Sequence, residues 1–149
     1  MRPADRAIAL AGCCTALGAL VPVALFQSEL TDTLPDPPGE IFASERITLS
    51  ETAHPLGIPD SYLGLASYGA TLTLLLLSDK SRVARRLLGF KLIGDAGAAG
   101  FNAVRQVAVF GKLCSWCTLT AVATIAMAYG GRQAMGEAAR TAGKAVSKR

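Results

Sequence analysis

The amino-acid sequence predicts an all-α membrane protein, a four-transmembrane-helix bundle with one long outer loop between helices 1 and 2. The first observation is composition: 51% of the 149 residues are hydrophobic and 17% are charged, with a mean hydropathy of +0.38. The second is a succession of four apolar segments, at residues 7–26, 62–78, 87–110 and 113–129, of about the length that spans a bilayer. The third is the separation of basic from acidic residues between the two sides of these segments. We therefore expect one membrane domain, residues 1–130, followed by a basic cytoplasmic tail, residues 131–149.

The first segment, residues 7–26, carries no charge and follows Arg2 and Arg6. Its length of about 20 residues is enough to cross a hydrocarbon core. The alternative is a cleaved signal peptide, but the apolar stretch is longer than usual and no small-x-small cleavage site follows it. Cys13 and Cys14 lie within this segment. Adjacent residues on a helix point in different directions, so we expect these two cysteines to serve as small packing residues.

The second and third segments differ in character. The second ends in a run of four leucines, residues 74–77, whereas the third contains several polar residues: Lys91, Asp95, Asn102, Arg105 and Gln106. Such residues are costly in lipid, so the third helix is expected to face protein or a polar cavity over part of its surface. The alternative for this segment is a soluble amphipathic helix. Lys91 and Asp95, four residues apart, are expected to pair.

The distribution of charge orients the bundle. The outer loop, residues 27–61, contains seven acidic residues and one basic residue, Arg46, whereas residues 79–86 and the tail are basic. By the positive-inside rule both termini are cytoplasmic and the loop is on the outer side of an inner (cytoplasmic) membrane. The net charge of +4 is thus explained by membrane topology and by an anionic lipid surface. No nucleic-acid partner is expected.

A Cys-x-x-Cys pair opens the fourth segment: Cys114 and Cys117, with Ser115 and Trp116 between them. Residues i and i+3 of a helix lie on one face, close to the separation that a disulfide tolerates. A helix N-terminus favours the thiolate, which is the reactive form of cysteine. At the outer end of a membrane helix, such a dithiol can meet a water-soluble thiol partner on one side and a lipid-soluble electron carrier on the other.

The outer loop is too long for a plain connection. Residues 34–39, Leu-Pro-Asp-Pro-Pro-Gly, cannot be helical, and apolar residues at 41–42 and 47–49 suggest a lid over the helix ends. The alternative is a flexible tether. Asp60 and Ser61 follow Pro59, and either side chain is suited to cap the second helix. The one histidine, His54, has no cluster of further ligands in the sequence, so no metal site is expected.

The order of these parts resembles the vitamin K epoxide reductase family and its bacterial members. The residues that carry the resemblance are Gly-Ile-Pro-Asp-Ser-Tyr-Leu-Gly at 57–64, then Tyr68, then the Cys-x-x-Cys pair. The resemblance covers residues 7–129 and implies a bundle around a quinone, ubiquinone or menaquinone, that the helix 4 dithiol reduces. It implies that Cys117 lies next to the quinone and that Cys114 faces the loop. It also implies a periplasmic thioredoxin-like thiol protein as partner.

Four further residues are candidate quinone contacts. Asp60 occupies the position where the family often has an Asn that hydrogen-bonds a quinone carbonyl. Trp116 offers a flat apolar surface, although Trp is also common as an interfacial anchor. Phe110 and Arg105 lie near the outer end of the third helix, where Arg105 and its neighbour Gln106 are suited to stabilise a thiolate or a quinone oxygen. The alternative role for Arg105 is to extend its charged group to the membrane surface.

One departure from the family is clear in the sequence. Family members usually carry a second cysteine pair in the outer loop that passes electrons to the helix 4 pair, and residues 27–61 contain no cysteine. A partner thiolate then attacks the Cys114–Cys117 disulfide directly, or a separate shuttle protein supplies the missing pair, or the chain has lost oxidase activity. Two other functions stay open: a non-catalytic membrane subunit with a structural Cys114–Cys117 disulfide, and a thiol-relay or maturation protein without quinone.

Overall fold

The computed structural model describes residues 1–146, which form six α-helices and two short 3-10 turns. The helices are α1 Pro3–Gln27, α2 Ser44–Thr48, α3 Asp60–Leu77, α4 Arg82–Phe110, α5 Ser115–Gly130 and α6 Arg132–Val146, and the turns are Glu51–Ala53 and Pro55–Gly57. The described residues contain one isolated bridge, between Phe42 and Leu113, and no strand. The all-helical class that the sequence predicts is therefore confirmed.

Helix α1 lies at the centre of the bundle and packs against α5 and α3. Small residues permit this close approach: a Cβ on Gly12 would lie 2.7 Å from the carbonyl oxygen of Ala123. The core around this contact includes Cys13, Leu20 and Met127. Cys13 has no exposed surface and has the packing role expected of it, whereas Cys14 is exposed and does not.

Two helices begin earlier than the apolar pattern predicts. Helix α1 begins at Pro3 rather than residue 7. Its first turn can contain the buried, charged Asp5 because this side chain forms ion pairs with Arg2 and Arg132, each at 2.8 Å. Helix α4 begins at Arg82 rather than residue 87, because the Ser81 side chain caps it and accepts a hydrogen bond from the Ala84 N–H at 3.2 Å. Hydropathy predicts only the apolar part of a helix, so it places the start of α1 and of α4 after their charged first turns.

The starts of the other two long helices also need correction. Pro59 is the residue that precedes α3, and it makes no side-chain cap. The prediction that Asp60 or Ser61 caps this helix is therefore wrong, because both side chains bind Gln27 instead. Helix α5 begins at Ser115 and not at residue 113, with Cys114 as its N-cap residue.

The segment expected to be only a basic tail forms helix α6, which packs against α4. Ala134 and Ala138 have no exposed surface. A Cβ on Gly89 of α4 would lie 2.2 Å from the carbonyl oxygen of Ala134, so the two backbones are in direct contact. Arg85 and Glu137 face each other across this contact at 3.8 Å. Of the basic residues of the tail, Lys148 and Arg149 lie outside the described residues.

By length and composition, α1 is the one helix within residues 1–146 that suffices to cross a membrane. Helix α5, with 16 residues, is shorter than the roughly 20 residues of a typical span. The outer surfaces of α4 and α5 nevertheless expose large apolar side chains, among them Phe101 (70% exposed), Val104 (69%) and Ile125 (67%). Four spans remain a prediction, which this apolar surface favours.

Candidate active site

Cys114 and Cys117 meet at the start of α5, and their surroundings differ. Cys114 precedes the helix, and its Sγ accepts a hydrogen bond from the Cys117 N–H at 3.1 Å. Both side chains are free thiols. Cys114 has no exposed surface, whereas Cys117 is partly buried and lines a cavity inside the bundle. One thiol thus lies under the outer loop and the other faces the interior.

The outer loop covers Cys114 through backbone contacts with the residue before it. The N–H of Ala43 donates to the carbonyl of Leu113 at 2.9 Å, and the N–H of Leu113 donates to the carbonyl of Ile41 at 3.0 Å. The N–H of Ser115 donates to Oγ of Ser44 at 2.9 Å. We call residues 34–50 the lid, since this part of the loop lies over Cys114.

Asp36 holds the lid to the start of α5. Its carboxylate accepts hydrogen bonds from the Ser44 N–H at 2.7 Å, from Oγ of Ser115 at 2.6 Å and from Oγ of Ser44. Burial alone would raise the pKa of this carboxyl, but the hydrogen bonds from Ser115 and Ser44 outweigh it and lower the pKa below its ordinary value of 3.8. Asp36 is therefore ionised at neutral pH and binds both Ser44 of the lid and Ser115 at the start of α5.

Trp116 and Phe110, two of the predicted quinone contacts, do not line the cavity. The indole N–H of Trp116 donates to the carbonyl of Pro35 at 3.0 Å, and the ring packs against a small cluster that includes Val23 and Leu34. Trp116 therefore supports the lid, because both its hydrogen bond and its packing contacts involve lid residues. Phe110 is the last residue of α4, one helical turn beyond Gln106.

The cavity has a volume of about 360 Å³ and lies between α1, α3, α4 and α5. Its wall is mostly apolar, with Leu20, Val23 and Leu63 among the lining residues. Two predicted contacts, Asp60 and Arg105, do line it together with Cys117. The structure thus brings together four of the six predicted site residues: Cys114, Cys117, Asp60 and Arg105.

Polar groups surround the thiol end of the cavity. Nη2 of Arg105 donates to Oδ1 of Asn102 at 2.8 Å, while its Nε is buried and has no hydrogen-bond partner among residues 1–146. The side chain of Gln106 is buried, and its Oε1 accepts from the Cys114 N–H at 2.9 Å. A buried donor without a partner costs free energy unless a ligand satisfies it, so Nε of Arg105 is suited to an acceptor oxygen.

The side chains at the inner end of the cavity are polar, but they already form hydrogen bonds or ion pairs with one another. The hydroxyls of Tyr68 and Thr124 share a hydrogen bond of 2.7 Å. Asp95 pairs with Lys91 and accepts from Oγ1 of Thr71 at 2.9 Å. The predicted Lys91–Asp95 pair is confirmed, and so is the expectation that the polar side of α4 faces protein and a cavity. No cluster of residues within 1–146 has the three His, Cys, Asp or Glu side chains needed to hold a metal ion.

Sequence reasoning missed three residues of this site: Asp36, Ser44 and Gln27. Each acts through a contact with a residue far along the chain, and Asp36 and Ser115 are 79 residues apart. Short polar side chains in a loop give no periodic signal, so nothing in the sequence pattern distinguishes them from solvated residues.

Comparison with known protein families gives a match that covers most of the chain. The model of the vitamin K epoxide reductase family matches residues 7–130. No match was found among curated proteins or among solved structures. The matched range includes α1 from residue 7 onward, all of α3, α4 and α5, the lid and the Cys114–Cys117 pair. The chain is therefore a member of the vitamin K epoxide reductase family, whose chemistry is oxidoreduction.

Proposed function

We propose that the protein is a membrane thiol:quinone oxidoreductase that passes electrons from a thiol partner through Cys114 and Cys117 to a quinone. The observation that carries the proposal is the different setting of the two thiols. Cys117 lines an apolar cavity inside the bundle, whereas Cys114 is not among the lining residues and lies under the lid. Such a pair can exchange electrons with two reactants that never meet.

The cavity is chemically suited to a quinone ring. Its apolar wall matches the ring and the start of an isoprenoid chain. The unpartnered Nε of Arg105 is a donor for a quinone oxygen. Asp60 lies on the same cavity wall, and its carboxyl can accept a hydrogen bond from the quinol that forms. Arg105 would then hold a quinone oxygen while Cys117 approaches the ring, and Asp60 would hold a hydroxyl of the quinol that forms.

The electron balance is simple. The reduced pair gives up two electrons and two protons, the quinone leaves as quinol, and a disulfide forms between the sulfurs of Cys114 and Cys117. A partner thiolate then attacks Sγ of Cys114, and Cys117 leaves as a thiolate. The partner's second thiol attacks the mixed disulfide, so that the partner leaves oxidised and both cysteines are thiols again.

Direct attack on Cys114 requires the lid to move, since Cys114 has no exposed surface. The lid is held mainly by hydrogen bonds and by an apolar cluster that contains fewer buried side chains than the bundle core. We propose that residues 34–50 open to admit a periplasmic thioredoxin-like protein or a separate shuttle protein. This opening replaces the electron relay that loop cysteines provide in other family members.

We propose that the four long helices cross the inner membrane with both termini in the cytoplasm. The exposed apolar side chains of α4 and α5 support contact with lipid. The ion pairs between Arg6 and Asp79 and between Arg132 and Asp5 gather at one end of the bundle. The lid and the acidic loop lie at the other end. This separation of charge agrees with a basic cytoplasmic face.

The test is steady-state turnover in lipid. Purified protein is reconstituted in liposomes, dithiothreitol is supplied as the thiol, and reduction of ubiquinone-1 and of a menaquinone analogue is followed in the ultraviolet. We expect turnover that Cys114→Ser and Cys117→Ser both abolish. Turnover that survives both substitutions contradicts the proposal.

The complete burial of Cys114 favours a second candidate, a non-catalytic subunit whose Cys114–Cys117 disulfide is structural. Mild reductant separates the two functions. A catalytic disulfide is reduced and reformed reversibly at moderate potential, whereas a structural one resists reduction until the protein unfolds. Titration of the pair in glutathione buffers, followed by mass spectrometry, distinguishes them.

A further inference from the structure

Gln27, the last residue of α1, joins the lid to the cavity. Its Nε2 donates to the carbonyl of Thr48 at 2.8 Å and to Oδ1 of Asp60 at 3.2 Å. Its Oε1 accepts a hydrogen bond from Oγ of Ser61. One amide group therefore binds the end of α2 and the start of α3 at the same time.

On the lid side, the contact continues to Cys114. Thr48 is the last residue of α2, is only 2% exposed, and its Oγ1 donates to the carbonyl of Ser44 at 2.8 Å. Ser44, the first residue of α2, accepts the hydrogen bond from the Ser115 N–H. Because α2 is a single short helix between these two contacts, a shift of Thr48 would move Ser44 and loosen its contact with Ser115 beside Cys114.

On the cavity side, the contact continues to Cys117. Asp60 and Cys117 line the same cavity, and the amide of Gln27 fixes Oδ1 of Asp60. A ligand that binds Asp60 therefore meets a carboxyl whose orientation depends on Gln27. Contacts through these side chains therefore connect the surroundings of Cys114 with those of Cys117, independently of the short Cys-x-x-Cys segment.

We propose that Gln27 is a positioning residue that couples occupation of the cavity to closure of the lid over Cys114. The proposal rests on the function proposed above. By linkage, a quinone that stabilises the Asp60–Gln27–Thr48 arrangement stabilises the closed lid, and the closed lid in turn strengthens quinone binding. The lid then excludes the thiol partner while the dithiol reacts, and it opens more readily once the quinol has left.

The test measures access to Cys114 when no turnover is possible. In a Cys117→Ser background, modification of Cys114 by N-ethylmaleimide is followed by peptide mass spectrometry with and without ubiquinone-1. Gln27→Glu keeps the acceptor for Ser61 but replaces the amide donor with an oxygen that repels the carbonyl of Thr48 and the carboxyl of Asp60. Gln27→Leu is a second variant that removes both functions without added charge. Ser28→Ala is the matched control, since the Ser28 hydroxyl bonds Ala24 and Tyr62 at the same helix end.

With Gln27 present, ubiquinone-1 should slow modification of Cys114 by about fivefold or more, as expected for one or two hydrogen bonds. In both Gln27 variants this protection should disappear and the rate without quinone should rise by a similar factor, while Ser28→Ala behaves as the parent. In the protein with both cysteines, the Gln27 variants should raise KM for ubiquinone-1 more than they lower kcat. Unchanged protection by ubiquinone-1 in the Gln27 variants overturns the inference alone. If the parent protein shows neither quinone turnover nor protection, the proposed function fails, and the inference fails with it.

Discussion

Oδ1 of Asp36 accepts a hydrogen bond of 2.6 Å from Oγ of Ser115, the residue that follows the buried thiol of Cys114. This contact, with those to Ser44, makes Asp36 the main polar attachment of the lid. Asp36→Asn should loosen the lid, because hydrogen bonds to a charged group contribute about 1.5–3 kcal/mol each. We expect faster modification of Cys114 by N-ethylmaleimide at neutral pH, with an unchanged rate in Asp32→Asn, an exposed loop residue outside the lid, as the control.

The same contact has a pH dependence whose sign follows from the lowered pKa of Asp36. Because the pKa is lower in the folded state, the stabilisation is present above the ordinary pKa and is lost as pH falls through the folded value. Hydrogen exchange at Ala43 and Leu113, whose N–H groups attach the lid, should therefore lose protection at acid pH in the parent protein. Asp36→Asn should lack this pH-dependent step; a step of equal size in that variant would assign it to another group.

Arg105 should control quinone affinity. Arg105→Met removes the unpartnered Nε donor and should raise KM for ubiquinone-1 by about ten- to hundredfold, the range expected for a hydrogen bond from a charged group. The steady-state assay in liposomes measures it. Arg86→Met, on the exposed side of the same helix, is the control and should leave KM unchanged. If both substitutions raised KM equally, Arg105 would act through its positive charge in general and not through a hydrogen bond to the quinone.

The acidic outer loop should select the charge of the thiol that reaches Cys114. Residues 27–61 carry seven acidic side chains against Arg46, so a cationic thiol is attracted and an anionic thiol repelled. At low ionic strength, cysteamine should reduce the Cys114–Cys117 disulfide faster than 3-mercaptopropionate, after correction for thiolate content, and added salt should remove the difference. Neutral 2-mercaptoethanol, with little salt dependence, is the control.

The contact between α4 and α6 should depend on Gly89. A Cβ there would lie 2.2 Å from the backbone oxygen of Ala134, which cannot move without displacing α6. Gly89→Ala should destabilise the protein by roughly 1–3 kcal/mol, as overpacking commonly does, and speed tryptic cleavage after Arg140, an exposed residue of α6, because α6 separates from α4. Gly94→Ala on the same helix is the control, since a Cβ at Gly94 has no neighbour within 4 Å. Thermal unfolding in detergent measures both.

Much of the fold could be predicted because its signals are local. Apolar segments and the asymmetry of basic residues predict the four long helices, and the Cys-x-x-Cys pair predicts the reactive end of α5. Helix α6 was missed because its packing face consists of Ala134 and Ala138, small residues that give little hydrophobic contrast beside several charges. The basic residues of this segment predict a solvated tail, whereas the small size of its alanines allows the backbones of α4 and α6 to touch.

The site was predictable only in part, and the reason is distance along the chain. Cys117, Asp60 and Arg105 lie at helix ends that any antiparallel bundle brings together. The contacts of Asp36 with Ser115 and of Gln27 with Thr48 depend on the path of an irregular loop, which no periodicity encodes. The position of Trp116 beside Cys117 predicts a quinone contact, but its side chain turns toward Pro35.

The central claim is that Cys117 and Cys114 together deliver one pair of electrons to a quinone in the cavity. The most direct measurement is a single turnover: fully reduced protein in lipid is mixed with one equivalent of ubiquinone-1 without any other thiol. The account predicts one quinol and one Cys114–Cys117 disulfide per chain, with Cys13 and Cys14 still reduced by mass spectrometry. Quinol formed without that disulfide, or a disulfide formed with no loss of quinone, would contradict it.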